Sequence, residues 1–329
     1  MKPMSAVKVF LSVLLMLAVM AVPSHSNTDA DISAAIASFV TGDAEGEAVY
    51  AEIIEKTQQY EVGHLLFDSY HLLTKRIRTS FGGWLQKSQE HIEMIREIFR
   101  EKGLPLELAY LPLIESGFSP YAVSPAKAVG LWQFVEGTAR DYSLRIDEHV
   151  DERRDPERST RAAADYLVDL YDIFGSWSLA LAAYNAGQNR IIRIIDTHGD
   201  IYRSSSTPLE TKRYVPLFVI ATAIAKAPER FGFVISKAVK KETRQVIVSR
   251  ATALRTLAHR HKTTAKVLKE LNPALLTEKT PPYAYALRIP AAMPLKEGIG
   301  TRESAAVASY DWTMRRCRFT FGAPFRDIE

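Results

Sequence analysis

The residue with the clearest chemical potential is Glu115, which closes an apolar segment and is followed by Ser116 and Gly117. The end of a helix carries a partial negative charge, and this charge and apolar neighbours both disfavour an ionised carboxylate. A carboxyl that stays protonated near neutral pH is what a general acid requires. A solvated glutamate at a helix end is the commoner case, so the residues around Glu115 must decide between the two interpretations.

Three later segments carry hydroxyl, amide and aromatic side chains, which bind sugars through hydrogen bonds and stacking. They are Val123-Ser124-Pro125, Gly130-Leu131-Trp132-Gln133-Phe134 and Ala183-Tyr184-Asn185-Ala186-Gly187. Each is a weak signal alone, because Trp132 is equally compatible with core packing and Asn185 with a helix stop. Their meaning therefore depends on their occurring together.

The elements that must position these residues are helices. Apolar residues at three- and four-residue spacing predict one helix from Trp84 to the residues before Gly103, and a second from 106 to 114 whose last turn Pro112 loosens. Further helices are predicted over residues 161–174, 178–184, 188–197 and 214–227. No alternating strand pattern occurs between residues 84 and 232, so this region is predicted to be mainly α.

In this order and spacing, the motifs resemble those of the lytic transglycosylases of peptidoglycan. The segments Leu108–Phe118 and Gly130–Phe134 are especially similar to the membrane-bound lytic murein transglycosylase D subgroup. The resemblance covers about residues 84–232 and implies a lysozyme-like helical catalytic domain. Trp132 stands where the wider family often has methionine.

The resemblance also implies roles for individual residues. Glu115 matches the family's single catalytic carboxyl, and Ser124 matches a serine that contacts the scissile region. The sugar subsites would be lined by Trp132, Gln133, Phe134, Tyr184 and Asn185. In the family's reaction the carboxyl protonates the oxygen between N-acetylmuramic acid and N-acetylglucosamine, then acts as a base as the muramic acid's 6-hydroxyl closes a 1,6-anhydro ring. The implied partner is the peptidoglycan glycan strand, and no metal or cofactor is implied.

The sequence gives no second carboxyl at a catalytic position, and it leaves two alternative functions open. Ordinary glycosidases use two carboxyl groups, but the nearest downstream acids, Glu136, Asp141 and Asp147, match no catalytic position of the family. A goose-type lysozyme would share the fold and hydrolyse the same bond. A peptidoglycan-binding protein without activity would belong to a different class.

Residues 243–293 predict a small separate module of a strand, two helices and a strand, over residues 245–249, 251–259, 264–271 and 285–290. This order resembles a LysM module, which binds wall glycans. Ser249-Arg250-Ala251-Thr252 stands where that family has a Gly-Asp-Thr-Leu turn. A glycan-binding module and a packing domain are therefore both open, and no element is predicted for the tail, residues 294–329.

Composition sets the outer limits on function. A chain of 329 residues with 47% hydrophobic and 24% charged residues is typical of a globular protein. Outside Lys2 and Lys8, the remaining 40 basic residues nearly balance 38 acidic ones, which argues against a dedicated nucleic-acid binder. The single cysteine, Cys317, excludes an internal disulfide and a thiolate zinc cluster.

The first 26 residues have the order of a secretory signal peptide. A basic start precedes the 14-residue, mostly apolar run Val9–Val22, and small residues allow cleavage after Ser26. The run is shorter than a membrane-spanning helix, which needs about 20 residues, and no cysteine near Ser26 could carry a lipid. These features predict an exported protein of the periplasm or cell envelope, with no integral membrane span and a helical lead-in at 27–83. They do not identify protein partners.

Overall fold

The computed structural model describes residues 63–237 and 242–291. The predicted signal peptide, most of the predicted lead-in and the tail at 294–329 lie outside the described residues. The division of the chain into a lead-in, a catalytic domain and a module stays a prediction.

The described residues are mainly helical, which confirms the predicted fold class. The α-helices are α1 (Gly63–His71), α2 (Arg78–Ser88), α3 (Ile92–Glu101), α4 (Pro112–Glu115), α5 (Glu136–Asp141), α6 (Pro156–Phe174), α7 (Trp177–Ala186), α8 (Gln188–His198), α9 (Leu209–Lys226), α10 (Leu254–Arg260) and α11 (Ala265–Leu271). A π-helix covers Leu72–Arg76, and 3₁₀ turns cover Leu106–Tyr110, Glu152–Arg154 and Pro228–Phe231.

Two helix predictions were wrong in detail. The stripe predicted as one helix is broken into α2 and α3, because the amides of Glu90 and His91 bond to carbonyls three residues earlier and so close a turn. The helix predicted from 106 to 114 is a 3₁₀ turn followed by the single-turn α4. Pro112 begins α4, where a missing N–H is tolerated, instead of loosening the end of a longer helix.

Helix α7 lies at the centre of the domain, because its sides are apolar almost all round. Ala180, Leu181, Ala182 and Ala183 are fully buried. Small alanines allow α6, α8 and α9 to pack closely against α7. The polar residues at its carboxyl end are thereby fixed near α9.

Residues 243–290 have the predicted order of strand, two helices and strand. The strands β1 (Thr243–Val248) and β2 (Tyr285–Pro290) pair antiparallel, with Thr243 opposite Pro290 and Val248 opposite Tyr285. These elements enclose a second apolar cluster, separate from the main core. Val150, from a loop before α6, belongs to this second cluster and is 1% exposed.

Among the described residues, no helix combines the length and apolar character that a membrane crossing requires.

Candidate active site

Glu115 is the last residue of α4, and the backbone turns sharply after it. After Ser116, Gly117 and Phe118 have φ of 59° and 57°, in the left-handed region. A Cβ on Gly117 would lie 2.5 Å from the indole of Trp84, so only glycine lets that ring pack on the turn. The half-buried Trp84 thus packs against the turn that follows Glu115. The sequence did not identify it as a site residue.

The carboxyl of Glu115 is held by a tyrosine from a distant helix. The hydroxyl of Tyr214, on α9, donates a hydrogen bond to Glu115 Oε1. Tyr214 is itself buried, and burial raises the pKa of its hydroxyl well above the ordinary value, so it remains a donor. Sequence reasoning missed Tyr214, because its contact spans 99 positions and no local pattern announces it.

The protonation equilibrium of Glu115 lies near neutrality. Burial is the largest influence and raises the pKa of Glu115 to about 7; the Tyr214 hydrogen bond opposes the shift, and the negative charge of Glu210 adds to it. The carboxyl is buried, although Glu115 as a whole residue is only half-buried. A carboxyl with these properties can donate a proton near pH 7 and accept one back.

A folded loop, residues 122–134, carries the next set of predicted residues, and we call it the site loop. Val129 forms isolated β-bridges with Val123 and Phe134. Ser124 Oγ accepts a hydrogen bond from the Ala128 amide at 3.1 Å and closes the turn. Ser124 therefore has a structural role here, and its predicted contact with substrate stays a prediction.

Gln133 fixes the other end of the site loop. Its backbone is left-handed, with φ of 50°. Its amide nitrogen donates to the carbonyl of Gly130 at 2.8 Å and to that of Ala122 at 3.4 Å. The donors of Gln133 are thus used within the protein, and its side-chain oxygen is the atom that remains for a ligand.

Two hydroxyl groups connect the site loop to the segments on either side of it. Ser116, next to Glu115, donates to the carbonyl of Leu131 at 2.8 Å. Tyr184, near the end of α7, donates to the carbonyl of Trp132 at 2.7 Å. Ser116, which follows Glu115, and Tyr184 are therefore bonded to two adjacent residues of the site loop.

The rings of Trp132 and Phe134 do not form part of an open site, which corrects their prediction as substrate-binding residues. Trp132 is 0% exposed and Phe134 is 3% exposed. The Trp132 indole packs 5.6 Å from Phe99, and its Nε1 donates to Thr160 Oγ1 at 3.0 Å. Neither ring can offer a face to a sugar, because both belong to the core.

A row of three half-buried tyrosines extends from Glu115 instead. The Tyr184 ring lies 5.3 Å from Tyr166, which lies 5.2 Å from Tyr142. The Tyr142 hydroxyl donates to Asp169 at 2.7 Å. Tyr166 and Tyr142 are isolated aromatics in sequence, so only the packing of α6 against α7 reveals the row.

Asn185 links the end of α7 to α9. Its side-chain oxygen accepts from Thr211 Oγ1 at 3.0 Å. Thr211 and Tyr214 are one helical turn apart, so the same face of α9 holds both Asn185 and Glu115. The structure thus brings Glu115, Tyr184 and Asn185 into one hydrogen-bonded arrangement.

Within residues 63–237 and 242–291, no group of three or more histidine, cysteine, aspartate or glutamate side chains could hold a metal ion.

Comparisons with known proteins identify the family that the chain resembles. Residues 94–203 match the family model of the transglycosylase SLT domain, which confirms the resemblance found in the motifs. Over 152 residues, 44% of this chain, the sequence is 36% identical to "Membrane-bound lytic murein transglycosylase D" of Escherichia coli (strain K12), and the match covers 34% of that protein. The chain therefore spans about a third of the length of this relative.

Two further similarities are more distant. "Membrane-bound lytic murein transglycosylase C" of Photorhabdus laumondii subsp. laumondii is 27% identical over 160 residues, 40% of this chain and 45% of that protein. An inactive mutant of lytic transglycosylase Slt from Pseudomonas aeruginosa aligns with a TM-score of 0.38 and 20% identity. That alignment covers 65% of this chain and 37% of the other. The match to the family model ends at residue 203, and the LysM resemblance of residues 243–290 stays a prediction.

Proposed function

We propose that this protein, through its transglycosylase SLT domain, is a lytic transglycosylase that cleaves the bond between N-acetylmuramic acid and N-acetylglucosamine and leaves 1,6-anhydro ends. The observation that carries the proposal is the carboxyl of Glu115, with its pKa of about 7 and its hydrogen bond from Tyr214. The matched SLT domain contains both Glu115 and the site loop.

In the proposed reaction a single carboxyl acts twice. Protonated Glu115 donates its proton to the glycosidic oxygen, and the bond from that oxygen to the muramic acid C1 breaks as the sugar that follows leaves as an alcohol. The 6-hydroxyl of the same muramic acid then bonds to C1 and gives its proton to the Glu115 carboxylate. The 2-acetamido group stabilises the positive charge that develops at C1, and Glu115 ends the cycle protonated.

The residues near Glu115 suit the binding of a sugar chain. Tyr184, Tyr166 and Tyr142 supply a row of partly exposed rings, and stacking on such rings favours the apolar faces of sugars. Gln133 and Asn185 supply amide groups next to the row. We propose that these side chains line successive sugar subsites, with Ser124 near the bond that is cleaved.

The decisive experiment is to digest purified peptidoglycan with the protein and identify the sugar ends by mass spectrometry. Anhydro ends are lighter by one water than the reducing ends that a goose-type lysozyme would leave. Reducing ends would show that the protein hydrolyses the bond and would contradict the proposal. Complete absence of soluble products would favour a peptidoglycan-binding protein without activity. Glu115→Gln is the control for contaminating enzymes.

The proposed site belongs in the cell envelope, where peptidoglycan lies. The related transglycosylases D and C are described as membrane-bound. The predicted signal peptide at residues 1–26 would export the chain, and this stays a prediction because the segment lies outside the described residues.

The pH dependence of turnover is a first prediction. Because the proton donor is the neutral form of Glu115 and its pKa is about 7, kcat/KM should fall about tenfold per pH unit well above pH 7. Measuring kcat/KM from pH 5 to 9 gives this decline, which is the alkaline limb of the pH profile. Glu136→Gln, which changes an exposed carboxyl on α5, should leave the limb in place. A rate that stays constant to pH 9 would contradict Glu115 as the proton donor.

Replacing Tyr214 by phenylalanine is a second prediction. The lost hydrogen bond normally lowers the pKa of Glu115, so the alkaline limb should move to higher pH. At neutral pH, kcat should fall about tenfold, because the carboxyl loses the group that orients it. Tyr110→Phe is the matched control, since that buried tyrosine bonds to Arg96 instead. A normal rate with an unshifted limb in Tyr214→Phe would exclude this role.

A further inference from the structure

Residues 243–290, which we call the C-terminal module, are joined tightly to the rest of the chain. The contact is made by the bridging segment, residues 145–155, which precedes α6. Val150 of this segment completes the module's apolar cluster. It also forms a β-bridge with Leu275, flanked by two backbone hydrogen bonds of 2.9 Å, from the Asp151 amide to Ala274 and from the Leu276 amide to His149.

Side chains reinforce the junction on both sides of this bridge. The Tyr283 hydroxyl donates to Asp147 at 2.6 Å, and the Arg145 guanidinium lies 4.4 Å from the Tyr283 ring. At the other side, Arg288 of β2 donates to both oxygens of Asp155, at 2.6 and 3.2 Å, and to Glu157 at 3.0 Å.

Asp155 is buried and Arg288 is partly buried, which makes the two residues interdependent. Asp155 is 4% exposed, and it also caps α6 by accepting from the amides of Glu157 and Arg158 at 3.0 Å. Burial disfavours the charge on Asp155, but Arg288, together with the amide and the charge of Arg158, more than compensates, so the pKa of Asp155 is lowered. Without Arg288, the carboxylate would be left buried without its cationic partner, which strongly destabilises a local structure.

The bridging segment continues directly to the site loop. Asp151, whose amide bonds to the module, holds Arg153 through two hydrogen bonds of 2.9 and 2.8 Å. Arg153 donates to the carbonyls of Lys127 and Phe134, both at 3.2 Å. The module, the bridging segment and the site loop are thus connected by buried hydrogen bonds.

The backbone of the site loop also lies directly against the bridging segment. A Cβ at Gly130 would lie 1.9 Å from the Arg153 carbonyl oxygen. A small movement of Arg153 toward the site loop must therefore move Gly130, and with it the carbonyl that accepts from the Gln133 amide. Interiors packed at this density transmit displacement.

We propose that the C-terminal module is a fixed support of the catalytic domain, and that Arg288 is a positioning residue that holds the site loop in place through Asp155 and the bridging segment. The kinetic part of this proposal rests on the proposed function. In this role the module acts on the reaction by setting loop geometry. The loop of the module at residues 274–276 is hydrogen-bonded to the bridging segment.

The test uses Arg288→Met in the full chain, with Arg255→Met as the matched control. Arg255 lies exposed on α10 of the same module. Amide hydrogen exchange should become at least about tenfold faster at Asp151 and Leu276, which bond across the junction, and also at Gly130 in the site loop. The Ile95 amide in α3 should keep its protection, which shows that the domain remains folded.

Kinetics on soluble glycan strands supply the second readout. Arg288→Met should lower kcat by about tenfold and change KM by less than about twofold. A displaced site loop impairs the alignment of the bound substrate with Glu115 more than it impairs substrate binding. Arg288→Lys, which retains a positive charge next to Asp155, should recover much of the lost kcat. Arg255→Met should match the wild type in both kcat and exchange.

Asp155→Asn guards against simple misfolding, because asparagine also caps a helix well. It should reproduce the effects of Arg288→Met, and the double variant should add little to either one. Faster exchange at the junction without any change at Gly130 or in kcat would overturn the proposal, as would wild-type behaviour in Arg288→Met. If the wild type shows no activity, the proposed function fails, whereas exchange at Gly130 still decides the coupling.

Discussion

Changing Glu115 to Gln is expected to lower peptidoglycan turnover by about 10³-fold or more, because the only proposed proton donor and acceptor is removed. The amide keeps the size of the side chain and an oxygen that can accept from Tyr214. Release of soluble muropeptides measures the loss. Glu136→Gln, on an exposed surface, should retain full turnover. Undiminished release of anhydro products by Glu115→Gln would contradict the assignment.

Stability supplies an independent control for this variant. The folded-state pKa of Glu115, about 7, lies above the ordinary value of 4.5. The folded protein therefore binds more protons than the unfolded chain between these values, and its stability falls as pH rises through the window. Glutamine removes this loss, so the variant should match the wild type near pH 4 and unfold at a higher temperature at pH 8. Lower stability at both pH values would indicate a damaged fold.

The end of a helix can be predicted from the sequence where a glycine follows its last turn. The helix predicted from Gln188 is α8, which lies between Gly187 and Gly199, both with positive φ. The strand β2, which no glycine borders, also has the predicted bounds of 285–290. Such boundaries are local, since a left-handed residue after the last turn stops a helix whatever lies around it.

The sequence was insufficient where long-range packing decides. Trp132 lies in a motif that suggests binding, but the position of α6 places its indole in the core, beside Thr160. Tyr214 belongs to an ordinary apolar helix, and only the fold brings it to Glu115. Periodicity identifies which residues share a helix face, but it does not identify which distant element that face meets.

The Glu115 carboxyl and the support of the site loop therefore differ in how the sequence encodes them. The motif around Glu115 is a continuous segment, because one turn of helix and one glycine turn suffice to present the carboxyl. The support of the site loop is discontinuous, since Arg153 and Asp151 lie in the bridging segment whereas Arg288 lies on β2. A prediction about this support can be tested at the point where the site loop and the bridging segment touch, which is Gly130.

Changing Gly130 to alanine is expected to destabilise the protein by about 3 to 5 kcal/mol and to abolish most activity. The new Cβ would lie 1.9 Å from the Arg153 carbonyl oxygen, and φ of 86° is itself unfavourable for alanine. Backbone must move to relieve the overlap, because the nearest atoms belong to the main chain. Urea unfolding measures the loss of free energy.

Gly103→Ala separates the overlap from the conformational cost. Gly103 has φ of 68°, but no atom lies within 4 Å of its added Cβ. Its replacement should therefore cost only the left-handed strain, about 1 to 2 kcal/mol, and leave turnover nearly unchanged at a temperature where the protein is folded. Equal losses of stability in the two variants would mean that the site loop can move away from Arg153 freely. In that case the contact at Gly130 could not hold the site loop in place.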